Sequence, residues 1–259
     1  MAQSAGEAAQ RRVLLFGLSA NPPTAAHAGM VAELVTKSDF DAIWVLPVYV
    51  HMLDSKRNKL EKFEHRVAMC RMAFEHLGSA SCPVGVKEIE RIVVERRLKQ
   101  RGGSGVARVG TADVLDHLSA AYPGTDFSFV MGADTYRDLR AGVWRRSDEL
   151  LRRLNFVVFP RGDIEVHPRP QDTLLAAASG WGDVSSSKVA AGSDTSYLRA
   201  VLNPNVLEYM QEHELYTLGK IQRRRRRRRW ASGIALAAIA IETVVRLRDG
   251  VGSFGGGGD

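Results

Sequence analysis

The sequence predicts an α/β protein: a single Rossmann-like domain with helices wrapped around a doubly wound parallel sheet, and a disordered basic C-terminal tail. Three observations predict it. Short apolar runs alternate with segments of helical period, the pattern of strand–helix–strand units. Several runs stop at a residue that ends a strand, namely Gly17, Pro47 and Pro160. The charge is also unevenly placed. The chain of 259 residues carries 36 basic and 29 acidic side chains, a net +7. Ten of the basic and three of the acidic ones lie between Thr217 and Asp259, so residues 1–216 are neutral. The pI near 9.6 therefore describes the tail and not what the domain binds.

The elements follow in order. Residues 1–11 are small and polar, without the apolar run of a signal peptide, and read as a flexible N-terminus. The domain then spans 12–216. Val13 to Phe16 forms a buried strand ending at Gly17. A Gly/Ser/Asn/Pro loop leads to a helix from about Thr24 with Met30, Val31, Leu34 and Val35 on one face. Ala42 to Leu46 is a second strand. Residues 61–77 place Phe63, Val67, Cys70, Phe74 and Leu77 at helical spacing. Lys99 to Gly105 reads as a loop, 111–121 as a helix, Phe127 to Met131 as a strand, 145–153 as a charged helix and Phe156 to Phe159 as a strand. Asn203-Pro204 supplies an N-cap and a first-turn residue for a last helix with Val206, Leu207 and Met210 inward. Two cysteines, Cys70 and Cys82, are too few for a disulfide framework or a four-cysteine zinc site, and read as free thiols.

Chemistry concentrates in Phe16-Gly17-Leu18-Ser19-Ala20-Asn21-Pro22-Pro23-Thr24-Ala25-Ala26-His27. It joins the first strand to the first helix, where free N–H groups and the helix dipole favour an anion. Thr24 and His27, three apart, share a face of the first turn. Either they converge on a bound phosphate, or Thr24 caps the helix and His27 lies on the surface. The chain has neither G-x-x-x-x-G-K-[ST] nor G-x-G-x-x-G after this strand, which disfavours P-loop NTPases and dinucleotide oxidoreductases.

The loop resembles that of the nicotinamide/nicotinate mononucleotide adenylyltransferases, with the pattern G-x-[ST]-F-[DN]-P-x-[HT]-x-x-H; Ser19, Asn21, Pro22, Thr24 and His27 match in register. The likeness continues through His65-Arg66-Val67-Ala68-Met69, the helix start around Thr111, Gly132-Ala133-Asp134, Val143-Trp144-Arg145, Phe159-Pro160-Arg161 and His213-Glu214-Leu215-Tyr216. This resemblance implies transfer of the adenylyl group of ATP to a pyridine mononucleotide, giving NAD or deamido-NAD, with Mg²⁺ carried by ATP. It makes His27 and Thr24 the catalytic pair and places Gly17, Ser19 and Asn21 at the ATP phosphates. Lys56 and Arg57 would bind the leaving pyrophosphate or the mononucleotide phosphate; a solvated basic loop is the other reading. Gly132, Asp134, Trp144 and Arg161 would hold the substrate, Asp134 at ribose hydroxyls and Trp144 stacked on the pyridine ring. No residue is assigned to a metal.

The chain departs from this pattern at three places. Leu18 stands where the family has Gly, and Ala20 where it has Phe. The late phosphate motif, roughly I-S-S-T-x-[IV]-R, is matched by Val184-Ser185-Ser186-Ser187-Lys188-Val189, with Ala190 at the arginine position. Ser185, Ser186, Ser187 and Lys188 remain phosphate candidates, and Arg199 is a candidate replacement. Two rival readings stay open: a related nucleotidyltransferase with a different phosphorylated acceptor, and a degenerate nucleotide- or RNA-binding protein.

Residues 217–259 hold seven consecutive arginines, Arg223–Arg229, an apolar stretch from Trp230 to Val245 and a Gly-rich end. The arginines suit a polyanion or import machinery. The apolar stretch falls short of a membrane span. The expected location is the cytoplasm, with the nucleus as the alternative that the arginines raise; a homo-oligomer is compatible with the sequence.

Overall fold

The computed structural model describes residues 10–37, 39–50, 60–103, 107–175, 184–224 and 226. Six strands form one sheet: β1 (Arg11–Leu18), β2 (Ala42–Pro47), β3 (Val84–Val86), β4 (Thr125–Gly132), β5 (Asn155–Phe159) and β6 (Thr173–Leu174). Their order is β3-β2-β1-β4-β5-β6, and every pair is parallel. Leu15 of β1 faces Trp44 on one side and Phe129 on the other, which fixes the central register.

A parallel sheet needs both faces covered, because its crossovers place helices on each. Strand alternation divides the core accordingly. Leu14, Phe16 and Leu18 enter one layer, with Val31 and Leu34 of α1 (Ala25–Lys37), Val67 and Cys70 of α2 (Phe63–Phe74) and Val206 and Met210 of a late helix, Pro204–Glu212. Val13 and Leu15 enter the other. There they meet Val93 of α3 (Ile89–Gln100), Leu115 and Leu118 of α4 (Thr111–Ala121) and Tyr136 of α5 (Ala133–Arg140).

Helix α6 (Ser147–Arg153) begins two residues later than the charge pattern suggested, because Arg146 adopts a left-handed φ of 62°. Helix α3 runs to Gln100, so the expected loop begins after it, at a turn containing Gly102 and Gly103 with positive φ. The long 61–77 helix is α2 followed by a 3-10 turn, Glu75–Leu77. Two short helices follow β6: α7 (Ser186–Ala191) and α8 (Thr195–Val201), before α9 (Pro204–Glu212).

The domain end expected at 216 falls at the head of a further helical stretch, 216–224. Leu218 is buried there, and Glu214 pairs with Arg223 at 3.9 Å and Arg226 at 2.7 Å, so the arginine run begins against the domain. The apolar stretch from Trp230 to Val245 lies outside the described residues. Among the described residues no helix is long and apolar enough to cross a membrane.

Candidate active site

In this strand order the progression of strands reverses at β1, with β2 and β3 on one side and β4 to β6 on the other, and ligands of open α/β sheets bind beyond the carboxyl ends of the strands flanking such a switch. The loop 19–24 leaves β1 there. Gly17 is still within β1, paired with Leu46; a Cβ on it would meet Phe129 Cζ at 2.8 Å, so packing already accounts for the glycine. Leu18 turns its side chain into the core, away from any ligand that the loop holds. Ala20 adopts a left-handed φ of 50° and is itself buried.

Asn21 is fixed from two distant parts of the chain. Its Oδ1 accepts the Glu61 N–H at 3.0 Å and the Tyr216 hydroxyl at 3.1 Å. Glu61 Oε1 in turn accepts the Tyr216 N–H at 3.2 Å. What this oxygen contributes is loop geometry. On the other side, Ser186 Oγ donates to the Pro22 carbonyl at 2.8 Å and brings the start of α7 to the loop. Ser185 is the N-cap of that helix and accepts the Lys188 N–H, while Ser187 and Lys188 are exposed. Ala190 packs on the core, and Arg199 is exposed on α8.

Thr24 and His27 meet as their spacing predicted. The Thr24 hydroxyl lies 2.7 Å from His27 Nδ1, which also accepts the Thr24 N–H at 3.2 Å. An Nδ1 that accepts a backbone N–H carries no proton, so the neutral ring holds its proton on Nε2. Burial, and next the positive charge of Arg161, push the His27 pKa down to about 4. At neutral pH the imidazole is therefore uncharged and offers one directed N–H.

Across the switch, Asp134 begins α5 directly after β4, and its Oδ2 accepts from Arg161 Nη1 at 3.0 Å. A Cβ on Gly132 would stand 2.8 Å from Asp134 Oδ1, so this glycine leaves room for the carboxylate. His27, Asp134 and Arg161 thus come together electrostatically at the ends of β1, β4 and β5. Trp144 is placed differently. Half-buried, it lines a cleft of about 370 Å³ with Gly142, Arg146, Ser147 and Asp148, and no loop residue lines that cleft. Lys56 and Arg57 lie outside the described residues.

Sequence reasoning gave no role to Glu61, Arg66 or Tyr216. Arg66 and Tyr216 stand inside quoted motifs, so a signal existed; their contacts with the loop are long-range and have no local spacing to reveal them.

A parallel sheet with an anion-ready loop at its switch point defines an α/β nucleotide-binding protein. Residues 15–192 match the family model described as Cytidylyltransferase-like, and the chain belongs to that family. Within it the chain groups with nicotinate-nucleotide adenylyltransferases. It is 30% identical to the protein named "Probable nicotinate-nucleotide adenylyltransferase" from Salinibacter ruber, over 78% of this chain and 96% of that one. The protein of the same name from Enterococcus faecalis is 28% identical, over 80% of this chain and 85% of its own length. The nicotinic acid mononucleotide adenylyltransferase of Plasmodium falciparum, solved with APC and with NaAD, superposes with a TM-score of 0.62. That match covers 80% of this chain and 98% of the other at 19% identity, and is a likeness of fold.

Proposed function

We propose that this chain transfers the adenylyl group of ATP to a pyridine mononucleotide, nicotinate mononucleotide first, in the biosynthesis of NAD. An oxygen of the mononucleotide 5′-phosphate attacks the α-phosphorus of ATP. The bond from that phosphorus to the β-bridging oxygen breaks, and pyrophosphate leaves without a covalent enzyme intermediate. Such a reaction asks the protein to align two polyanions and stabilise developing charge.

The observation that carries this reading is the Thr24–His27 contact, which leaves Nε2–H as a fixed donor at the anion-binding end of β1 and α1. In this reading Nε2–H donates to an ATP phosphate oxygen, assisted by the free N–H groups of the first turn of α1. Gly17 and Ser19 shape the loop, Asn21 locks it, and Ser185, Ser186, Ser187 and Lys188 bring hydroxyls and one positive charge to its far side. Lys56 and Arg57 add positive charge for the pyrophosphate. Asp134, paired with Arg161, accepts from ribose hydroxyls, and Gly132 gives it room. Trp144 is the candidate face for the pyridine ring. Among the described residues no three His, Cys, Asp or Glu side chains gather as a metal site. Mg²⁺ enters this reading as Mg-ATP, neutralising the phosphate oxygens.

The test is pyrophosphate release from Mg-ATP with nicotinate mononucleotide, nicotinamide mononucleotide and phosphopantetheine in parallel. Turnover with a pyridine nucleotide, reduced at least a hundredfold in His27→Ala, is the expected result. Turnover confined to phosphopantetheine, or undiminished in His27→Ala, overturns it.

A further inference from the structure

Arg66 is a large, fully buried side chain at 1% exposure, yet no carboxylate lies in its hydrogen-bond shell. Its guanidinium instead donates to four backbone carbonyls. Nε reaches Glu61 at 2.9 Å, Nη1 reaches Ser19 at 2.8 Å and Val48 at 2.6 Å, and Nη2 reaches Tyr49 at 3.5 Å. The guanidinium also lies 5.4 Å from the Phe63 ring centre, and Phe63 packs edge-on to Tyr49. These acceptors belong to the loop after β1, the chain leaving β2 and the approach to α2. Val48–Tyr49 and Glu61 also flank residues 51–59, which include Lys56 and Arg57. One planar fork therefore joins three segments that meet at the anion-binding end of the sheet.

A buried charge needs compensation. Glu90, whose side chain accepts the Tyr49 N–H, acts on Arg66 through space rather than by direct contact. The groups facing Arg66 are Tyr216, Cys70, Glu90 and Glu64.

We propose that Arg66 is a positioning residue for adenylyl transfer: it sets the phosphate loop against the chain after β2. The proposal rests on the nucleotidyltransferase reading above. Lysine keeps the charge but cannot span four carbonyls.

The experiment compares Arg66→Lys, Arg66→Met, Glu90→Gln and the Arg66→Met/Glu90→Gln double variant by thermal unfolding, calorimetric ATP binding, and kcat and KM for ATP. Arg66→Met leaves four buried carbonyls without their donor, so Tm falls, and ATP affinity falls about tenfold. In the double variant the buried Glu90 carboxyl is also removed, and part of the lost Tm returns while ATP affinity stays reduced. Arg66→Lys keeps the charge and part of the hydrogen bonding, so its Tm falls less than that of Arg66→Met, and it still binds ATP several-fold more weakly. If ATP affinity returns together with Tm in the double variant, Arg66 is merely structural and the proposal fails. If Arg66→Met does not fold, Arg66→Lys decides: unchanged ATP affinity overturns the proposal. Calorimetry reads ATP binding without an acceptor, so failure of the transfer reaction itself is seen separately.

Discussion

Tyr216→Phe tests whether the end of the domain holds the nucleotide loop. The ring is 4% exposed, and phenylalanine preserves its burial while removing the hydroxyl that donates to Asn21 at 3.1 Å. Asn21 Oδ1 keeps the Glu61 N–H, so no acceptor is stranded and the loss is that of one hydrogen bond. Such a bond contributes about 1 kcal/mol net. For a domain of this size that is a fall in Tm of about 2–4 °C. The bond joins the loop to residues far along the chain, so a comparable free energy is lost from ATP positioning, and kcat/KM for ATP drops about fivefold. Thermal unfolding and initial rates over an ATP titration measure both. A variant with unchanged Tm and unchanged kcat/KM would show that Asn21 is placed without Tyr216, and would refute the reasoning.

Three further outcomes are expected. Gly132→Ala drives a Cβ to 2.8 Å from Asp134 Oδ1, a movable side-chain atom; Tm changes by about 1 kcal/mol equivalent or less, while KM for the nucleotides rises several-fold in steady-state assays. Asp113→Asn weakens a buried hub where Arg97 Nη2 and Arg145 Nη2 lie 2.5 and 2.7 Å from Oδ1; with partly exposed arginine partners the loss is about 2–3 kcal/mol by urea unfolding. The pH dependence is composite. His27, lowered to about 4, makes the unfolded chain the better proton acceptor, so its contribution of about 3 kcal/mol is lost as pH falls from 6.5 towards 4. Glu90, raised by burial to about 7, has the opposite sign, and its contribution is lost as pH rises from 4.5 to 7. His27→Gln should therefore lose stability as pH rises through that window and Glu90→Gln should gain it, as urea unfolding between pH 4.5 and 7 will show.

The sheet was legible because its central strands are uninterrupted apolar runs, such as Val13 to Phe16 and Phe156 to Phe159. Helix α3 was not: Ile89, Val93 and Val94 are buried, but six of its twelve residues are charged and hide the stripe. The two-residue β6 and the three-residue β3 are too short to carry a pattern. At the site, Thr24 and His27 were legible because a helical turn alone brings them together. Asn21 was recognisable as part of the loop, but its anchoring by a tyrosine 195 residues away depends on tertiary packing. Leu18 stands where the family has glycine, and the structure turns its side chain into the core. Trp144 shows the converse: its motif was plain, while its cleft is lined by α6 and the residues just before it, with none from the loop.

The most direct test of the central claim follows the phosphorus atoms of ATP. With nicotinate mononucleotide as acceptor, ATP labelled at the α-phosphate should pass its label to a dinucleotide, and ATP labelled at the γ-phosphate should release it as pyrophosphate. Label from the α-position recovered as AMP, or from the γ-position as inorganic phosphate with no dinucleotide formed, would contradict adenylyl transfer.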